Sequence, residues 1–326
     1  DIAAQNFKLG KVSENEIQVK HDPNDSLAAA SILFQKGDVT FRYTDSKVFE
    51  MKTEVTTRIK IYKEQGYEWA NPKIEYFSDD KIIISDGVTY NLINGEIIKS
   101  KLNLNSVKDV KVSKGLNRKE FEMPNVKEGS VIEYKYVITT TKIKNFNNWY
   151  FQYKIPVQYS EFITNIPEYF TFNINQKGNI PIKKQIIKEE QILNKLKRKL
   201  GFATSEQIDI GNTYLPKDKT TYESTQTRYI AENVAGIPFS QETTLNEKSL
   251  APLTHVLVKE AQPDSPEENY SMDWQSLVSS IYNENIIAEL NKSKYYQKDL
   301  DIIIKNNEAD HDRIQAIFNS VKQNIL

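Results

Sequence analysis

Chemistry in this chain has few side chains to draw on. With no cysteine among 326 residues, thiol nucleophiles, disulfides and Cys-ligated zinc are excluded together. The three histidines, His21, His255 and His311, stand far apart in sequence. His311 lies in Asp310-His311-Asp312, a composition that could ligate a metal, but adjacent residues on a helix point in different directions. Capping of a helix that begins there is the better account of the acidic pair. No metal or other cofactor is expected. His255 shares a strand face with Leu253 and Leu257, which predicts a satisfied core or interface histidine.

Glu133 and Glu161 could serve as general acid and base only if they faced each other across a cleft. Strand parity instead places Glu133 opposite the Ile132 and Tyr134 face, an ordinary position on a sheet surface. Ser130 follows Gly129 without the second glycine of a nucleophile elbow, and no glycine-rich phosphate loop occurs. Aromatic side chains are the remaining opening. Among 18 Tyr, 14 Phe and 3 Trp, the cluster Trp149, Tyr150 and Tyr153 could stack sugars or grip a peptide, and these are the candidate ligand-binding residues. The competing assignment is that they fill the core of a β-sandwich.

The elements that must position these groups are mostly strands. Between Phe121 and Glu161, Ile132, Tyr134, Tyr136 and Ile138 recur at every second position, and so do Trp149, Phe151, Tyr153 and Ile155, predicting two long strands, the second closed by Pro156. Lys36-Gly37-Asp38 predicts a turn between two strands in the segment 27–43. Val55, Thr57, Ile59 and Ile61 alternate with polar residues as a half-buried antiparallel strand. Asp86-Gly87 and Asn94-Gly95 predict the two turns of a three-stranded meander over 81–101. Further strands follow on either side of Lys177-Gly178 and in the segments 220–229 and 253–259. The charged run over 183–200, with its basic centre Lys195-Leu196-Lys197-Arg198-Lys199, is expected as a solvated edge or loop.

Helical spacing appears only near the ends. Ser13-x-x-Glu16 could cap a short helix beginning at Glu14. Trp274, Leu277, Val278, Ile281 and Tyr282 form one amphipathic stripe behind Asp273, and Ile314, Ile317, Phe318 and Val321 form another behind Asp310 and Asp312. The expected organisation is an N-terminal surface arm over 1–26, an antiparallel β-sandwich of two packed sheets over 27–262, and a helical segment over 270–326 that begins a truncated domain. The 43 basic and 44 acidic residues nearly cancel, which argues against a dedicated nucleic-acid partner. No window approaches the ~18 apolar residues of a membrane-spanning helix. Asp1 in place of an initiator Met fits a processed precursor or a trimmed chain equally well.

A resemblance sharpens this outline. The strand Arg58-x-Lys60-Ile61, Tyr90-Asn91 before the Gly95 turn, Phe121, Pro124, Gly129-Ser130-Val131-Ile132-Glu133-Tyr134, Trp149, Phe151-Gln152, Pro156 and Ser160-Glu161 together resemble an uncharacterised β-rich domain. That domain commonly stands in front of a transglutaminase-like core in bacterial envelope proteins. The resemblance runs from Leu27 to Lys259, and Asp273-Trp274 with Arg313 to Val321 resemble the first helices of the core. It implies a periplasmic or secreted, non-catalytic accessory module whose partner is a downstream transglutaminase-like domain, with the catalytic Cys, His and Asp lying beyond Leu326. It transfers no catalytic residue to this chain. A glycan or peptide partner, or an independent carbohydrate- or peptide-binding sandwich, remains the alternative.

Overall fold

Alternation along the chain builds two sheets that pack face to face, with a smaller third sheet beside them. In this computed structural model the described residues are 10–192 except 45, 221–237, 249–263, 265–270, 278, 282, 287 and 297–325. The chain divides into two compact units, Asp1–Glu268 and Asn269–Leu326. The largest sheet has eight strands, in the order β12 (Lys183–Ile192), β13 (Thr221–Val234), β10 (Val157–Pro167), β1 (Ala30–Tyr43), β2 (Phe49–Ile61), β8 (Val131–Thr140), β4 (Lys81–Ile93) and β5 (Glu96–Lys101). In the second sheet β14 (Ser249–Glu260) pairs antiparallel with β11 (Phe170–Gln176) and with β9 (Trp149–Tyr153). The third is β3 (Lys73–Phe77), β7 (Leu116–Glu120) and β6 (Lys108–Ser113). The mainly β class and its short helical C-terminal segment are as expected. The third sheet, and a parallel pairing of β1 with β10, are additions that alternation does not reveal.

Several local expectations are corrected. Lys36-Gly37-Asp38 is no turn: β1 runs straight through it. Gly37 stands in a row across the sheet with Tyr229, Phe162, Val55 and Tyr136. A Cβ there would lie 2.5 Å from Trp149 Cζ3 and 2.7 Å from Phe162 Cδ2, so the glycine is needed for ring packing rather than for a bend. Asp86-Gly87 is likewise continuous within β4, at an irregularity in its pairing with β8. Gly87 leaves room for Leu102, whose side chain a Cβ would meet at 2.8 Å. Asn94-Gly95 is a true hairpin turn, with both residues at positive φ. The two patterned strands of 121–161 separate, β8 entering the large sheet and β9 the second. β9 ends at Tyr153, ahead of Pro156 as expected, and β10 starts at the residue after the proline. The strands flanking Lys177-Gly178 also part, β11 to β14 and β12 to β13. β12 is the edge strand its lysines predict; the basic run over 195–199 lies outside the described residues.

The core between the two large sheets is aromatic. Trp149 stacks on Phe162 with centroids 4.9 Å apart, Phe41 stacks on Phe170 at 5.4 Å, and Phe146, Phe162 and Phe172 surround the ring of His255.

The outer face of the large sheet is closed locally by α1 (Glu14–Gln18), whose Ser13 and Glu16 form the capping box the sequence predicts. Ile17 packs there with Leu33, Val88, Tyr90 and Val131. The N-terminal arm is therefore, from Ile17, part of a core rather than only a surface lead-in.

In the second unit, α2 (Gln297–Asn306) was not foreseen, and α3 (Asp310–Ile325) carries the predicted stripe. Of the stripe around Trp274, only Val278 and Tyr282 are among the described residues.

Candidate functional site

A cleft of about 650 Å³ opens over the inner face of the large sheet, beside the region covered by the second sheet. Its floor is Thr53, Val55 and Thr57 of β2 with Tyr134 and Tyr136 of β8; β3 and β7 make one wall and the Asn147–Tyr153 segment the other. The end is closed by a 3-10 helix, Glu64–Ala70, which presents Trp69. That helix sits close because Gly66 lies against the Ala29 carbonyl, where any Cβ would collide. Trp69 meets the Tyr153 ring edge to face at 6.3 Å.

The polar groups of the cleft are arranged sparsely. Gln35 donates from Nε2 to the Tyr153 hydroxyl at 2.7 Å, while its Oε1 is buried without a donor. Burial pushes the Tyr134 phenol up to about 12. Tyr136 and Tyr153 are pushed up further, first by burial and then by the neighbouring phenols, with Gln35 partly offsetting the shift at Tyr153. These hydroxyls therefore stay neutral at ordinary pH and act as hydrogen-bonding groups, not as phenolate bases. Asn71, Asn147 and Asn148 add carboxamides at the rim, and Lys73, Glu75 and Arg118 add charge. Such a lining can stack flat apolar faces and exchange hydrogen bonds.

The three sequence candidates take different places. Trp149 is buried, donates from Nε1 to Ser160 Oγ at 3.1 Å and lies flat on Phe162; only part of it borders the cleft. Tyr150 is half-buried on the cleft wall. Tyr153 is half-buried, with its hydroxyl engaged by Gln35. Trp69, Tyr76, Phe77 and Gln35 were missed. The stretch Tyr67-Glu68-Trp69 to Tyr76-Phe77 carried an aromatic density that could have marked them.

Glu133 and Glu161 do not form a catalytic pair. They share the outer face of the large sheet but sit three strands apart, roughly 14 Å by inter-strand spacing, beyond the separation a carboxylate pair needs. The surface position expected for Glu133 is also corrected. It is 4% exposed and accepts from Arg58 Nε and Nη2 at 2.7 and 2.5 Å and from the Gly10 amide at 2.7 Å. Parity chose the right face; α1 and its lead-in cover that face here. Glu161 is closed by Arg228. His255 is buried as expected but not satisfied: neither ring nitrogen has a partner, and burial, assisted by Lys184, lowers it to about 4. His311 is exposed beside Asp312, and no cluster of three or more potential metal ligands occurs among the described residues.

Residues 48–195 match the family described as "Domain of Unknown Function with solved-structure structure (DUF3857)", a span that contains every cleft residue named above except Gln35. No curated protein matches the chain. Among solved structures, the chain is similar to a Parabacteroides distasonis protein described as a "putative protease", with a TM-score of 0.53 and 12% identity. The match covers 91% of this chain and 50% of that one, so this chain spans half the length of the solved protein. At that identity the likeness concerns the fold.

Proposed function

We propose that this chain is a non-catalytic accessory module of a secreted or periplasmic transglutaminase-like protein, and that it holds a substrate or partner in the cleft while acyl-transfer chemistry happens on other residues. The observation that carries this reading is the lining of the cleft: aromatic faces, neutral phenols and carboxamides, with Glu133 and Glu161 each committed to an arginine elsewhere. The absence of cysteine from the sequence and the likeness to a protein described as a protease are consistent with a division between a binding part and a reacting part.

A second reading, an independent carbohydrate- or peptide-binding module, is favoured by one observation: every residue of the cleft lies between Gln35 and Phe162, inside the first unit. The test is retention without turnover. The chain is incubated with random decapeptides and with neutral oligosaccharides, and bound and converted material are measured. Retention that is lost on Tyr150→Ala, with no conversion, supports the accessory reading. Conversion of any probe by this chain alone overturns it. Retention unaffected by tethering the chain to a catalytic unit favours the independent module.

A further inference from the structure

We infer that the cleft takes an extended peptide, added as a fourth strand to the open edge of β3; the inference rests on the cleft being a ligand site. Among the described residues β3 pairs on one side only, with β7. Two hydrogen bonds just outside the ladder fix its polarity: Phe121 N–H donates to Pro72 O at 3.3 Å and Ser78 N–H to Gly115 O at 3.0 Å. Both join residues that continue the β3–β7 register, and in an antiparallel ladder bonded pairs recur at every second position. Ile74 and Tyr76 therefore bond β7, while Lys73, Glu75 and Phe77 turn their backbone groups outward. Among the described residues these outward groups have no partner, except the Phe77 carbonyl, which accepts from Asp80 N–H at 2.9 Å.

That open edge belongs to the cleft. All five residues of β3 border it, although strand side chains alternate between faces. Residues of both parities therefore reach it, and Leu116 and Arg118 of β7 border it as well, so the cleft runs along the β3 side of this sheet. Three outward amides at a two-residue repeat match the repeat of another strand, and a peptide supplies the complementary series of groups. Charge and apolarity set a pattern as well. The Lys73 ammonium has no carboxylate partner among the described residues, Glu75 is already beside Arg118 at 3.9 Å, and Phe77 is 40% exposed. The added strand thus carries an acidic residue against Lys73 and an apolar one against Phe77, four positions apart on one face.

The experiment is selection of random decapeptides displayed on phage, followed by amide hydrogen exchange on the chain with and without an enriched peptide. Enriched peptides should hold an acidic and an apolar residue four apart, and the Lys73, Glu75 and Phe77 amides should gain protection on binding. Glu75→Pro removes one outward N–H without touching the β7 bonds, a position where an edge strand tolerates proline. It should weaken binding about tenfold or more, while its far-ultraviolet circular dichroism and urea midpoint, the folding control, stay close to those of the parent. Enriched peptides that leave the three amides unprotected, or that bind Glu75→Pro unchanged, overturn the inference. Retention of a neutral oligosaccharide, released by Tyr150→Ala, with no peptide enriched, overturns it but leaves the proposed function standing. Retention of neither overturns both.

Discussion

The Arg58 guanidinium is held between two carboxylates, Glu133 at 2.5 Å and Glu16 at 2.7 Å, with Arg58 itself only 2% exposed. It fastens the N-terminal helix onto the outer face of the large sheet, together with Lys60, which donates to the carbonyls of Ile17 and Gly129.

Breaking that pair from one side should be costly. Arg58→Met leaves the Glu133 carboxylate buried without its counter-ion, and about 3 to 5 kcal/mol should be lost. Arg58→Met combined with Glu133→Leu should recover much of it, because the one carboxylate then left without its arginine, Glu16, is partly exposed and still accepts from Ser13. Urea unfolding midpoints decide the matter; a single variant within about 1 kcal/mol of the parent would contradict a buried, fully engaged pair.

Gly37→Ala should destabilise by about 1 to 3 kcal/mol through overpacking against Trp149 and Phe162, with a change in tryptophan emission. The φ of Gly37 is not positive, so the cost is steric and not conformational. Alanine accepted at parental stability would mean that the rings do not lie on β1.

Neutral His255 gives a pH dependence of definite sign. Its folded value, about 4, lies below its ordinary 6.5, so the unfolded chain takes up the proton first as pH falls. The contribution is intact above pH 6.5, declines below it and is exhausted once pH has passed through about 4, amounting to roughly 3 kcal/mol. Lys184 adds to the shift, and the apolar rings of Phe146, Phe162 and Phe172 offer the imidazolium no acceptor. In His255→Phe the loss of stability between pH 6.5 and 4 should shrink by about that amount; an unchanged pH profile would count against a neutral buried ring.

Trp149 and Tyr150 should separate stability from binding. Trp149→Phe removes the bond to Ser160 and should cost about 1 to 2 kcal/mol while leaving probe retention unchanged. Tyr150→Ala should do the reverse. Loss of retention in Trp149→Phe at parental stability would place the ligand on the indole instead.

Much of the fold was legible because a two-residue period survives wherever one sheet face is buried, as along β8. It was least legible where both faces are covered. Arg58, Lys60 and Glu133 occupy polar positions of good alternating strands, and only the arrival of α1, from far away in sequence, makes them interior. Glycine misled in a consistent way: at Gly37 and Gly87 it makes room for a side chain from elsewhere, which local turn chemistry cannot distinguish from a bend, whereas Asn94-Gly95, with asparagine also suited to positive φ, was unambiguous. The cleft was invisible as a whole because its floor, walls and end come from separate stretches of the chain, although Trp149, Tyr150 and Tyr153 all lie on its border.

β1 lies in the interior of the large sheet, yet one of its neighbours arrives late: Ile32 pairs with Ile59 soon after it is made but with Val157 only much later. On a ribosome adding about 5–20 residues per second, one long edge of β1 stays open for roughly ten seconds. Any fragment that stops before β10 keeps that edge permanently. Nascent chains should therefore need shielding during this interval, and expression boundaries that remove β10 should yield aggregates rather than a smaller folded module.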